Sequence, residues 1–147
     1  MSASFASSSW ADQLGSALSA SPTLRSEAAD WVFGPVLLVV DADAEHDVAA
    51  AALRLDLNAG ECRGVSTVPV EDAARNPFVV EGTLARWKSV FGGELSLVDG
   101  ILDSKLRLSG DLPTVTRHRA MFDALVAAGG ELETTWPQDE VAEPANA

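Results

Sequence analysis

Two histidines, one cysteine and one acidic run are the side chains of this 147-residue sequence with chemistry to offer. Asp41-x-Asp43-x-Glu45 opens like a calcium loop, in which carboxylates at alternate positions of a tight turn reach one ion. His46 stands where that loop requires glycine, and Ala52 stands at the twelfth position where it requires a bidentate Glu. The run therefore reads as a solvated turn. His46 and His118 lie seventy-two positions apart, outside any HExxH-like frame. Cys62 has no second cysteine for a disulfide or a CxxC site, and its place in an alternating stretch predicts a buried, inert thiol. Ser66, Ser89, Ser96, Ser104 and Ser109 stand outside any Gly-x-Ser-x-Gly elbow, and Gly92-Gly93 and Gly129-Gly130 belong to no phosphate loop. No catalytic residue, metal or cofactor is expected. That directs attention to binding.

The elements that would build a binding site follow from hydrophobic period. Trp10, Leu14 and Leu18 recur at helical spacing, Ser21-Pro22-Thr23 interrupts them, and Leu24, Ala28, Trp31 and Val32 resume the pattern, which predicts two short helices. Val36 to Val40 is continuously apolar and leads into the acidic turn, as a buried strand would. From Ala51 to Leu57 the residues alternate, with Leu53, Leu55 and Leu57 on one face and Arg54 and Asp56 on the other. Asn58-Ala59-Gly60 tolerates positive φ, so the chain reverses there and returns from Cys62 to about Val68. A short crossover over Glu71 to Pro77 precedes a strand at Phe78 to Val80, which Gly82 ends. Thr83 then caps a helix whose apolar face is Leu84, Trp87, Val90 and Phe91, stopped by Gly92-Gly93. A second helix, Leu95 to Leu102, presents Leu97, Val98, Ile101 and Leu102. Lys105 to Ser109 alternates as a fifth strand with Leu106 and Leu108 inward, and one long helix from Leu112 to Ala128 follows Asp111, its face made by Leu112, Val115, Phe122, Leu125 and Val126. The fold class is α+β, with helices laid against a mainly antiparallel sheet. Residues 1–137 are expected to form one domain and residues 138–147 an acidic, disordered tail.

Composition narrows the partners. The 47% hydrophobic content supplies a core, and the absence of Tyr with only 6% aromatics makes that core largely Leu, Val and Ala. A net charge of −12, from 22 acidic against 10 basic residues, repels phosphate backbones and anionic bilayers, so nucleic acid is not an expected partner. The longest apolar run, Trp31 to Val40, contains Gly34 and Pro35 and is about half the ~20 residues that span a bilayer, so no integral membrane association is expected. The start lacks the basic and apolar regions of a signal peptide, and with the lone thiol this points to the cytoplasm.

From Phe78 onward the chain resembles the sterol carrier protein type 2 family of small lipid-transfer domains. The resemblance rests on a strand followed by a short helix with a Trp and Leu face, a Gly, and a helix leading to Leu102. After these comes Asp103-Ser104-Lys105-Leu106-Arg107-Leu108-Ser109-Gly110-Asp111, similar to the family's Gly-x-Leu-x-Leu-x-Gly-Asp strand, and a helix carrying Met121-Phe122. The hairpin at Asn58-Ala59-Gly60 falls where the family places one, so the likeness extends over Trp31 to Ala128. Asp103 and Ser104 depart from the Gly that many members carry before the strand, and the ending Pro144-Ala145-Asn146-Ala147 is not a peroxisomal address.

The resemblance implies a five-stranded, curved sheet covered by helices, with an apolar tunnel that holds a fatty acyl, sterol or isoprenoid ligand. If the helix faces fail to interdigitate fully with the sheet, the space between them is lined by Leu84, Trp87, Phe91, Leu97, Ile101, Leu102, Met121, Phe122 and Leu125. Arg86, Lys88 and Arg119 are the basic side chains that could meet a carboxylate head at its mouth, and solvated helix-face charge is their plainer role. The expected function is non-catalytic binding and transfer of a lipid. Two alternatives stand beside it: an interaction or homodimerisation module with a closed core, and an accessory subunit presenting a hydrophobic substrate to an enzyme.

With two lysines against eight arginines and much Ala, the acidic chain also resembles proteins of a salt-loaded cytoplasm, although a GC-rich genome gives the same Arg and Ala bias. Salt screens self-repulsion, so a halophilic origin predicts a melting temperature that climbs steeply between dilute buffer and molar KCl. A flat melting curve across that range assigns the bias to the genome.

Overall fold

A computed structural model describes residues 3–73 and 75–136. The chain opens with a two-residue strand β1 (Ala3–Ser4), and helices α1 (Ser8–Ser19) and α2 (Pro22–Glu27) follow, capped by the Ser7 and Ser21 hydroxyls. Strand β2 (Val36–Val40), a 3-10 turn over Ala44–His46, and strands β3 (Ala51–Asn58) and β4 (Glu61–Val68) come next. A single helical turn α3 (Val70–Ala73) leads to β5 (Phe78–Gly82). Then come α4 (Leu84–Phe91), α5 (Leu97–Leu102), β6 (Arg107–Ser109), α6 (Leu112–Arg117), α7 (Arg119–Gly130) and β7 (Thr134–Thr135).

The main sheet has five strands in the order β4-β3-β2-β5-β6. Its neighbours are antiparallel except β2 and β5, which run parallel with Val36 beside Phe78. That one parallel pair requires the chain between β3 and β5 to cross over, and α3 does so on the back of the sheet, covering Leu37, Val39, Ala52 and Val79. All other helices pack on the front, where alternate residues of each strand, such as Leu53, Leu55 and Leu57 of β3, meet them in one large cluster. The outer strand β4 is shielded along its length by α1. Gly15 permits this approach, since a Cβ there would lie 3.3 Å from the Val65 nitrogen, and the Ser19 hydroxyl donates to the Cys62 carbonyl at 3.0 Å.

The hairpin turn sits at Ala59 and Gly60, with φ of 49° and 88°, and the Ala59 amide donates to the Trp31 carbonyl at 2.7 Å. Two expectations need correction. The second helix stops at Glu27, so Trp31 is buried from a loop and Val32 is 63% exposed. The long helix expected from Leu112 to Ala128 is two helices, because His118 leaves helical geometry at φ −106°, ψ 27°. Its ring Nδ1 lies 2.8 Å from the Thr114 carbonyl, the acceptor its own backbone N–H would have used, and that N–H turns instead to the Val115 carbonyl at 3.1 Å. The sequence pattern also did not announce that β1 pairs in parallel with β7, Ala3 beside Thr134. The expected acidic tail, 138–147, lies outside the described residues.

Gly110 joins β6 to α6 at φ 143°, and a Cβ there would lie 2.7 Å from the Pro77 carbonyl oxygen and 2.9 Å from the Phe78 ring. Gly110→Ala is therefore expected to destabilise the fold by roughly 2–3 kcal/mol in chemical denaturation, through backbone strain and the clash together. A loss below about 0.5 kcal/mol would mean that the β6–α6 connection yields.

Candidate functional site

The front layer is built by short helices, each placed by a cap. Thr83 accepts the Arg86 amide at 3.2 Å and starts α4; Ser96 and Asp111 begin α5 and α6 in the same way. The Asp111 carboxylate also accepts the Thr114 hydroxyl at 2.5 Å, and these two bonds hold its pKa below the usual range. From these starts the apolar faces turn toward the sheet. Leu84, Trp87 and Phe91 of α4, Leu97 of α5, and Met121, Phe122 and Leu125 of α7 are buried in one cluster, with Ile101 packed partly buried against it. Leu102 is the exception. It is the last residue of α5 and is 50% exposed, because the helix ends before it completes another turn toward the core.

Tryptophans organise this layer. Trp87 is fully buried, and its indole N–H donates to the Val39 carbonyl at 2.9 Å, tying α4 to the centre of the sheet. Trp10 donates to the Thr134 hydroxyl at 2.8 Å, and Trp31 donates to the Gly34 carbonyl at 2.8 Å. Each ring thus buries its apolar body without leaving a donor unpaired. Around Trp10 lie Phe5 at 4.8 Å and Phe91 at 5.4 Å, and Trp136 stacks on Phe5 at 4.5 Å. A second group centres on Trp31, which meets Phe78 at 5.0 Å and Phe122 at 5.8 Å. Sequence reasoning passed over Phe5 and Trp136 and did not join Trp31 to Phe78 and Phe122; the β1–β7 pairing and the loop before β2 bring them together.

The three basic candidates separate. Arg86 is exposed on α4. Arg119 pairs with Asp99 at 3.0 Å and reaches the Ser96 hydroxyl at 3.5 Å, so its guanidinium links α7 to α5, and the Asp99 carboxylate raises its pKa. Lys88 is half-buried and lines a surface cleft of about 250 Å³ together with Phe91, Gly92, Glu94, Gly129, Gly130, Leu132 and Trp136. The cleft is tight because a Cβ on Gly129 would lie 2.5 Å from the Phe91 ring. Larger grooves of about 540 Å³ between α1 and β4 and about 450 Å³ between the α1–α2 elbow and α7 are lined mainly by Gly, Ala and Ser, and by none of the predicted residues.

The remaining chemistry-bearing groups are scattered. Cys62 is half-buried rather than fully enclosed. Desolvation pushes its thiol pKa up, a backbone hydrogen bond from Gly64 opposes this, and the Asp56 charge adds to the rise. Arg107 pairs with Asp41 at 2.8 Å and Glu81 at 3.0 Å across exposed strand ends. Among the described residues, no three His, Cys, Asp or Glu side chains converge as a metal site would require, and no helix is long and apolar enough to cross a membrane.

Known structures share this architecture. A crystal structure of sterol carrier protein 2 matches with a TM-score of 0.79 and 28% identity, covering 87% of this chain and 98% of that one. The solution structure of a conserved hypothetical protein from Thermus thermophilus, itself suggested to be a sterol carrier protein, matches with a TM-score of 0.79 and 27% identity over 92% of this chain and 94% of that one. Sterol carrier protein 2 from Yarrowia lipolytica, in its apo form, shares the fold at a TM-score of 0.52 and 10% identity, over 82% of this chain and 88% of that one. No protein-family model and no curated protein sequence matches the chain. The chain has the sterol carrier protein 2 fold, as the pattern from Phe78 onward implied.

Proposed function

We propose that this sterol-carrier-like chain binds a hydrophobic small molecule, a fatty acyl, sterol or isoprenoid chain, between its front helices and the sheet, and performs no chemistry on it. The observation that supports this most is the match to sterol carrier protein 2 over nearly the whole of that protein, at 28% identity. The local chemistry agrees. The layer formed by Trp87, Phe91, Leu97, Met121, Phe122 and Leu125 is apolar throughout, and an alkyl chain entering it gains roughly 0.8 kcal/mol per buried methylene. About a dozen carbons then suffice for micromolar binding after the costs of association.

The same residues are buried in one cluster, and on this reading a ligand enters among them. Three short helices, α4, α5 and α6, and the α7 that follows must shift outward from the sheet, and the cleft beside Phe91 and Trp136 is where we place the mouth. At about 250 Å³ it is smaller than the roughly 300–1,000 Å³ of ordinary ligand pockets, which agrees with a site that opens on binding. Lys88 at its rim is the residue we assign to a carboxylate head. Residues 1–137 act in this reading as one binding domain, working in a reducing cytoplasm that suits the lone thiol.

Purification followed by organic extraction and mass spectrometry tests the proposal. The expected result is one lipid per protein, and uptake of fluorescent dodecanoic acid by the delipidated chain with a Kd on the order of micromolar. Absence of co-purified lipid together with no probe uptake would remove the carrier reading in favour of a closed interaction module.

A further inference from the structure

The hairpin that joins β3 to β4 carries an irregularity that its short turn does not require. Asn58 stands opposite Glu61 and Leu57 opposite Cys62, but Asp56 stands opposite Gly64, so Arg63 is left without a partner in the ladder. An unbroken register would set Arg63 opposite Asp56, and a cross-strand pair of opposite charge stabilises antiparallel strands. The bulge forgoes that pair. Gly64, at φ 147° with open space where a Cβ would go, lets the backbone make the detour. Bulges re-aim side chains, and this one leaves Arg63 lining a surface cleft of about 320 Å³.

The same cleft is lined by Arg25, with Ser19, Gly60, Glu61 and Cys62. Arg25 lies in the last turn of α2, which sits so close on the hairpin turn that a Cβ on Gly60 would come 2.7 Å from the Arg25 carbonyl oxygen. The Ser19 hydroxyl, donating to the Cys62 carbonyl at 3.0 Å, brings the end of α1 to the same place. Three elements therefore meet around the two arginines and fix where their side chains begin.

Charge then points to a ligand. Arg75, Arg107 and Arg119 have carboxylate partners, whereas among the described residues neither Arg25 nor Arg63 forms an ion pair. In a chain with 22 acidic against 10 basic residues carboxylates are plentiful, so two guanidiniums on one cleft without a partner stand out, and they repel each other until an anion joins them. Glu61 also lines the cleft, but it is exposed and pairs with neither arginine. A carboxylate offers two oxygens and suits one guanidinium fork, while a phosphate monoester offers three terminal oxygens and can serve two. The volume lies at the lower end of the roughly 300–1,000 Å³ of ligand pockets, which fits a phosphate on a small organic group. A net charge of −12 repels anionic bilayers, which favours a phosphate in solution over a lipid headgroup.

We propose that Arg25 and Arg63 form a binding site for a small, soluble phosphate monoester at the β3–β4 hairpin. The site is independent of the carrier reading. Titration calorimetry with phenyl phosphate at about pH 8, where the phosphate is a dianion, and at ionic strength held constant with KCl, should show saturable binding of one equivalent. Arg25→Gln and Arg63→Gln should each weaken it about tenfold. Glu61→Gln should tighten it about threefold by removing a negative charge from the rim. All three side chains are exposed, and an unchanged melting temperature in KCl alone checks that each variant is folded. Uptake of fluorescent dodecanoic acid should be the same in wild type and variants; its loss in the arginine variants would assign them to the head of a carried lipid and overturn a separate site. A wild-type signal no greater than that of KCl at equal ionic strength, or arginine variants that bind as well as wild type, overturns the proposal. So does binding to phosphatidate vesicles with none to phenyl phosphate, which would assign the arginines to a membrane surface.

Discussion

The hydrogen bond from the Trp87 indole to the Val39 carbonyl is the contact on which the front layer depends. It is the point where a helix of eight residues is tied to the middle of the sheet through the interior, with no water to substitute for either partner. Helices this short have little stability of their own, so their position comes from caps at one end and apolar burial along one face. Trp87 does both jobs at once: its ring fills the space between α4 and the sheet, and its one polar atom specifies which carbonyl it must meet. Trp10 and Trp31 repeat the device, one against Thr134 of the carboxy-proximal strand and the other within the loop before β2. Among the described residues no buried side-chain nitrogen or oxygen lacks a partner, so the layer is free of uncompensated polarity.

That arrangement has a consequence for ligand exchange. A layer held by a few directional bonds and many non-directional contacts loses little specificity when an alkyl chain replaces some of the latter, because methylene contacts are alike in strength whoever supplies them. The Arg119–Asp99 pair joins α5 to α7 outside the apolar zone, where solvent screens it, and lets the two helices move together. On the proposed reading, opening disturbs dispersion contacts that the ligand restores, and leaves the sheet and its α3-covered back untouched.

Much of this was legible in the sequence, for physical reasons that can be named. Alternation in Leu53, Leu55 and Leu57, the Ala59-Gly60 reversal, and the caps at Thr83 and Asp111 are local signals, and the strands and helices they announce are present. The helical spacing of Leu84, Trp87 and Phe91 placed them correctly on the inner face. Non-local geometry was hidden. The pairing of Ala3 with Thr134 involves two residues per strand, too few to give a period, and it is what carries Phe5 and Trp136 to the Trp10 cluster. Leu102 matched the helical spacing but fell at the helix terminus, where period no longer fixes direction. The break at His118 escaped because it depends on an imidazole taking the place of a backbone donor, a contact that spacing does not encode.

Binding as proposed requires the front helices to part from the sheet and admit an alkyl chain, and the indole N–H groups of the four tryptophans report on that motion directly. In a nitrogen-proton NMR titration with dodecanoate, the Trp87 and Trp10 resonances are expected to move and to saturate at one equivalent, since both rings lie in the layer. If every buried indole stays fixed while dodecanoate rises to millimolar concentration, the layer does not open and the carrier reading is contradicted.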